Sequence, residues 1–166
     1  MLSQSDGSEI AYLAKQLGEL LHRDGIKVTT AESCTGGGIA EAITSVPGSS
    51  QWFDCGYIAY ANSAKQRLLG VDAELLNRFG AVSEQVVQQM ATGAIKASQA
   101  DYAVAVSGIA GPDGGTADKP VGTLWFCWAG PSGSYSKKFL LQGDRLSVRE
   151  QAVKISLQEL LHQIGG

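Results

Sequence analysis

The sequence predicts an α/β/α sandwich: a single domain with helices on both faces of a mixed, mostly parallel sheet. Three observations carry this. Segments of helical period alternate with short β-branched runs along the whole chain, the pattern of helices laid on a sheet. Tyr102 to Val106 is apolar or aromatic throughout, as a strand buried on both faces requires. Two strand-like segments, Val121 to Ala129 and Tyr135 to Leu141, flank the turn Pro131-Ser132-Gly133, so they pair antiparallel and make the sheet mixed. A length of 166 residues suits one domain, and 44% hydrophobic residues suffice for a core.

The elements follow in order. Met1 to Gly7 reads as a loose start. Ile10, Leu13, Leu17, Leu20 and Leu21 keep a helical period, and Gly25 suits the end of that helix. Ile26 to Ala31 reads as a strand. The run Thr35-Gly36-Gly37-Gly38 opens a second helix towards Ser45, with Ser33 or Thr35 able to cap it. Trp52 to Ala61 reads as a strand, Asn62 to Leu69 as a helical turn and Asp72 to Arg78 as a short helix. Ser83 starts a longer helix reaching Ser98, with Glu84 and Gln85 at its positive end. Ser107 to Pro120 is a glycine-rich loop. Asp144 caps a last helix whose apolar stripe is Val153, Leu157, Leu160, Leu161 and Ile164.

Composition excludes several functions. A net charge of −3 is not the basic footprint of a general nucleic-acid binder. No apolar run approaches the ~20 residues that span a bilayer, and the first residues show no secretory signal order. Cys34, Cys55 and Cys127 are odd in number and widely spaced, which fits neither a disulfide framework nor a CxxC zinc site. A reducing, cytoplasmic setting is the expectation, with no metal and no cofactor.

Chemistry points to two glycine-rich turns. The first, Val28-Thr-Thr-Ala-Glu-Ser-Cys-Thr-Gly-Gly-Gly38, leads from a strand end into a helix, where open α/β sheets bind ligands and helix N–H groups attract anions. No Lys follows its glycines, so it is not a triphosphate-binding P-loop. The second, Ser107 to Gly122, follows a buried strand and can present N–H groups to an anion. Gly56 to Lys65, with Tyr57 and Tyr60, and Gly143-Asp144-Arg145 are further candidates. Both histidines, His22 and His162, stand near helix C-termini, away from either glycine loop. A Ser-His-Asp triad is therefore not expected, and a nucleophilic Ser33 needs another base, for which lysine is the available choice. Cys34 stays open as an alternative nucleophile, because a helix start would lower a thiol pKa.

Several blocks together resemble one family. They are Thr30-Ala-Glu-Ser-Cys-Thr-Gly-Gly37, Tyr60 to Lys65, Gly80-Ala-Val-Ser83, Ser107-Gly-Ile-Ala-Gly-Pro112, Lys119-Pro-Val-Gly122 and Gly143-Asp-Arg145. In this order they resemble the C-terminal domain of the CinA family, over nearly the whole chain. The resemblance implies an amidase that hydrolyses nicotinamide mononucleotide to nicotinate mononucleotide and ammonia. Longer CinA proteins carry an additional domain resembling molybdopterin-binding proteins, and the expectation here is the stand-alone deamidase form. The resemblance points to Ser33 as nucleophile, Lys65 as its base and Tyr60 as a further site residue. Loop chemistry adds Thr35, Gly36, Gly37, Ser107, Gly108 and Arg145 as contacts to phosphate and ribose. The expected partner is a small pyridine nucleotide, with no nucleic acid and no membrane, in a homo-oligomer. The alternative is a non-catalytic nucleotide-binding module, regulatory or related to competence and damage.

Overall fold

The computed structural model describes residues 4–166. Five strands form one sheet in the order β2-β1-β3-β4-β5. They are β1 (Val28–Glu32), β2 (Tyr57–Ile58), β3 (Tyr102–Gly108), β4 (Thr123–Gly130) and β5 (Gly133–Leu140). β1 pairs parallel with β2 and β3, while β4 pairs antiparallel with both β3 and β5. Four strands thus run one way and β4 alone opposes them, which is the mixed, mostly parallel sheet expected.

Helices α1 (Gln4–Asp24), α2 (Gly38–Thr44) and α6 (Arg145–Gly165) cover one face. Leu17, Leu21, Ile39, Ile43, Leu157 and Leu160 meet Val28, Val104 and Phe126 there. Helices α3 (Asn62–Leu69), α4 (Ala73–Phe79) and α5 (Glu84–Ser98) cover the other face. On that side Val86, Val87 and Met90 pack on Ala31, Ala103 and Ala105. Odd and even positions of β3 go to opposite faces, as strand pleating dictates. The small alanines let α5 lie close to the sheet. The Trp128 indole N–H, buried among apolar side chains, donates to the Ser156 carbonyl at 3.2 Å.

Several boundaries differ from the sequence expectation. α1 begins at Gln4, inside the stretch expected to be loose, while Met1 to Ser3 lie outside the described residues. The strand expected over Trp52 to Ala61 shrinks to Tyr57–Ile58, preceded by a 3-10 turn at Ser49–Gln51 and a single bridge from Phe53 to Val28. The apolar character of this stretch serves packing: Trp52 is buried against α1 and Phe53 packs on the same core. Ser107 and Gly108 belong to β3, so the glycine-rich loop starts at Ile109 and runs to Gly122. Neither Ser33 nor Thr35 caps α2. Gly37 stands at that position with φ 102, a left-handed conformation that favours glycine. The Asp144 cap does form, its side chain accepting from Ser147 N–H at 2.9 Å.

Gly93 couples the fold to the site. A Cβ there would collide with the Leu69 carbonyl, at the C-terminal end of the helix that carries Lys65. Gly93→Ala should therefore cost about 1–3 kcal/mol in urea unfolding, as overpacking does. It should also lower catalytic activity by displacing α3, whereas Gly25→Ala, strained but with open space around it, should cost stability alone.

Candidate active site

Ser33 follows β1 directly, and its N–H continues the ladder by donating to the Val106 carbonyl at 3.1 Å. Glu32, one residue earlier, turns towards α2, so Ser33 turns towards the α3 and α5 side. Ser107, one residue beyond Val106, shares that side by the same alternation.

Lys65 comes to Ser33 from α3. Lys65 and Leu69 are the buried residues of that helix, one turn apart, and so form its inner stripe. Only 1% of Lys65 is exposed. Its Nζ lies 3.0 Å from Ser33 Oγ and donates to the Tyr60 carbonyl at 3.0 Å. Among the described residues no carboxylate pairs with it; the three ion pairs lie elsewhere. Burial pushes its pKa below the ordinary lysine value, because the charged form loses its hydration. A neutral amine can keep one N–H on the carbonyl and aim its lone pair at the Ser33 hydroxyl, which is the arrangement of a general base.

Tyr60 links this pair to the other candidates. Its carbonyl holds Lys65, while its exposed hydroxyl accepts from Arg145 Nη2 at 3.0 Å. Arg145 Nη1 donates to the Gly111 carbonyl at 2.8 Å, tying the 109–122 loop to the start of α6. The base of that loop is closed by Ile109 N–H to Thr123 O and Gly122 N–H to Ile109 O. Lys119 donates to the Phe79 carbonyl at 2.6 Å, at the end of α4, where a cation suits the helix dipole.

The glycine run is built differently from the anion cradle expected. The amides that open α2 already hold an acid: Glu32, fully buried, accepts from Ile39 N–H at 2.8 Å, Ala40 N–H at 3.0 Å and Thr35 Oγ1 at 2.7 Å. Gly36 N–H donates to the Ser33 carbonyl at 3.1 Å. Arg149, on α6, donates to the carbonyls of Cys34 at 3.1 Å and Thr35 at 3.2 Å. Glu32 and Arg149 escaped the sequence reading. A usable signal existed for each: an acid immediately before a helix opening, and an arginine one helical turn after Arg145. A groove of about 530 Å³ between α1, α2 and α6 is lined by Thr35 and Arg149, among others, but by neither Ser33 nor Lys65.

Cys34, the alternative nucleophile, is buried next to Ser33. Burial raises its thiol pKa to about 11, and the helix start that would have lowered it is neutralised by Glu32.

The structure thus defines an α/β/α protein with a buried Ser-Lys pair at a strand end. Residues 10–164 match the model of the CinA C-terminal domain, and the chain belongs to the CinA family. It is 56% identical over 156 residues to the nicotinamide-nucleotide amidohydrolase PncC of Pseudomonas putida, covering 94% of this chain and 97% of the relative. It is 52% identical over 157 residues to the protein of the same name from Escherichia coli K12, covering 94% and 95%. Among solved structures, the competence/damage inducible protein CihA from Agrobacterium tumefaciens superposes with a TM-score of 0.92 at 42% identity, over 95% of this chain and 96% of that one.

If Lys65 works as a neutral base, kcat/KM rises with pH through one apparent pKa lying below that of free lysine. The sign follows from the depressed pKa: the active, unprotonated form fills as pH rises through it. Lys65→Arg should be nearly inactive at every working pH, since guanidinium keeps its protons. A near-normal kcat for Lys65→Arg would remove the lysine from the role of base. Cys34→Ala should retain most of the activity of the parent in the same assay.

Proposed function

We propose that this chain hydrolyses the carboxamide of nicotinamide mononucleotide to nicotinate mononucleotide and ammonia, through an acyl-enzyme on Ser33. The observation that carries the reading is Lys65 Nζ at 3.0 Å from Ser33 Oγ, buried and without a carboxylate partner. The substrate comes from the names of the relatives that this chain matches over nearly its full length.

Lys65 takes the Ser33 proton as Oγ attacks the carboxamide carbon. The carbonyl oxygen becomes an oxyanion and needs donors fixed in advance. The backbone N–H groups of Cys34 and Thr35 follow Ser33 and meet no backbone acceptor among the described residues, whereas Gly36 N–H is already bonded. Protonated Lys65 then gives its proton to the departing ammonia as the C–N bond breaks. Water, deprotonated by the same lysine, attacks the acyl carbon and frees Ser33 and the acid.

The nucleotide phosphate needs local attraction, because the chain carries a net charge of −3. With Glu32 holding the first amides of α2, this falls to Arg145 and to the 109–122 loop it touches. Tyr60, bonded to Arg145, lies between phosphate site and dyad. Thr35, Gly36 and Gly37 after β1, and Ser107 and Gly108 at the end of β3, are the contacts proposed for ribose and ring. Pyridine nucleotides are cytoplasmic metabolites, and three free cysteines accord with that compartment.

Ammonia release from a panel of pyridine compounds tests this reading. Nicotinamide mononucleotide should be turned over with far higher kcat/KM than the riboside or free nicotinamide. Both parameters should suffer when the phosphate is removed, because remote binding energy orients the reacting group. Ser33→Ala should abolish turnover while binding of the nucleotide survives. Binding without any ammonia release by the unaltered protein would make the chain a nucleotide-binding module instead.

A further inference from the structure

We infer that Arg149 is a positioning residue for acyl transfer: it orients the peptide after Ser33 so that Thr35 N–H becomes the oxyanion donor. This rests on the amidase reading and deepens it.

The argument begins with peptide geometry. In a trans peptide the C=O and N–H bonds are coplanar and point in opposite directions. The Cys34 carbonyl shares its peptide with Thr35 N–H, and the Thr35 carbonyl shares its peptide with Gly36 N–H. Arg149 reaches both carbonyls from α6, which lies on the α1 and α2 side of the sheet. Both N–H groups are therefore directed away from that side, towards the side on which Lys65 meets Ser33. The Gly36 N–H is used within the turn, where it ends on the Ser33 carbonyl at 3.1 Å. Thr35 N–H has no such acceptor among the described residues.

Two further features hold the turn. The Thr35 hydroxyl is fixed on the Glu32 carboxylate at 2.7 Å, so Thr35 cannot rotate to satisfy its own amide. Thr35 itself is buried, 1% exposed, which keeps its backbone in place. A buried amide left waiting costs stability unless something else enforces it. The bidentate arginine is that enforcement, and a cation on the carbonyl also polarises the peptide and strengthens its N–H as a donor. Lysine cannot replace it fully, because a point ammonium does not span two carbonyls in a fixed fork.

The experiment compares the full chain with Arg149→Met and Arg149→Lys. With nicotinamide mononucleotide, Arg149→Met should lose on the order of 10²-fold in kcat with little change in KM, the pattern of a lost transition-state interaction. Arg149→Lys should recover part of the loss, and the pH profile set by Lys65 should keep its midpoint in both. A kcat within about twofold of the parent would overturn the inference. So would a rise in KM at unchanged kcat, which marks a substrate contact, or a displaced pH midpoint, which marks an effect on the base. Should Arg149→Met fail to melt cooperatively, Arg149→Lys decides by the same criteria. A second arm follows acylation of Ser33 by p-nitrophenyl acetate, corrected with Ser33→Ala. If the parent releases no ammonia from the nucleotide, the proposed function fails. The ester arm then still decides Arg149: slower Ser33 acylation in both variants supports the inference, and equal rates overturn it.

Discussion

A lysine buried to 1% exposure with no acid beside it is the constraint on which this molecule is arranged. Burial strips an ammonium in such a place of its hydration and favours the neutral amine more than water does. The fold supplies what that state needs. Leu69, one turn on, anchors the inner stripe of α3, and α5 closes over it where Gly93 meets the Leu69 carbonyl. The Tyr60 carbonyl takes one N–H, and Ser33 occupies the remaining direction at 3.0 Å. A residue poorly suited to a core is thereby held with a pKa below that of a free lysine, as the proposed role of base requires.

The turn after β1 answers a complementary problem. A nucleophile at a strand end must be exposed to substrate yet held still. Ser33 is held through its own amide on Val106, and the residues after it are held from outside: Glu32 takes the Thr35 hydroxyl and the first α2 amides, and Arg149 takes two carbonyls. The glycines at 36 and 37, with φ of 59 and 102, let the chain pass from this turn into α2 without a side chain meeting Arg149 or Ile58. Their conformation serves that passage.

Much of this was legible in the sequence. Period and turn chemistry located every helix and placed Ser33 at a strand end. The lack of a histidine near either glycine loop pointed to lysine as base, and the family resemblance pointed to Lys65. What the sequence hid was tertiary. A two-residue β2 cannot be told from a long strand when Trp52 and Phe53 are apolar for packing against α1 rather than for pairing. Glu32 reads as an ordinary charge until the fold shows it fully buried and spanning seven residues to Ile39. Arg149 lies 115 residues from the carbonyl it holds, a pairing no local pattern encodes. The burial that raises the Cys34 thiol pKa to about 11 is likewise tertiary, and no local pattern shows it.

The placement of Glu32 and Ser33 on consecutive positions of one strand end has a chemical consequence. A carboxylate that reached Lys65 would stabilise the ammonium and raise its pKa, removing the base. Strand pleating sends neighbours to opposite faces, so the acid is delivered to α2 and the nucleophile to α3 by the same two-residue period. α2 gives the acid the amides it needs, and the sheet itself stands between the two charge systems. A slip of one residue in the register of β1 would exchange them, placing Glu32 beside Lys65 and Ser33 against α2. The five ladder pairings of β1 with β3, from Val28 with Tyr102 to Glu32 with Val106, therefore do more than build the core. They keep Glu32 and Lys65 apart, as the proposed proton transfer from Ser33 to Lys65 requires.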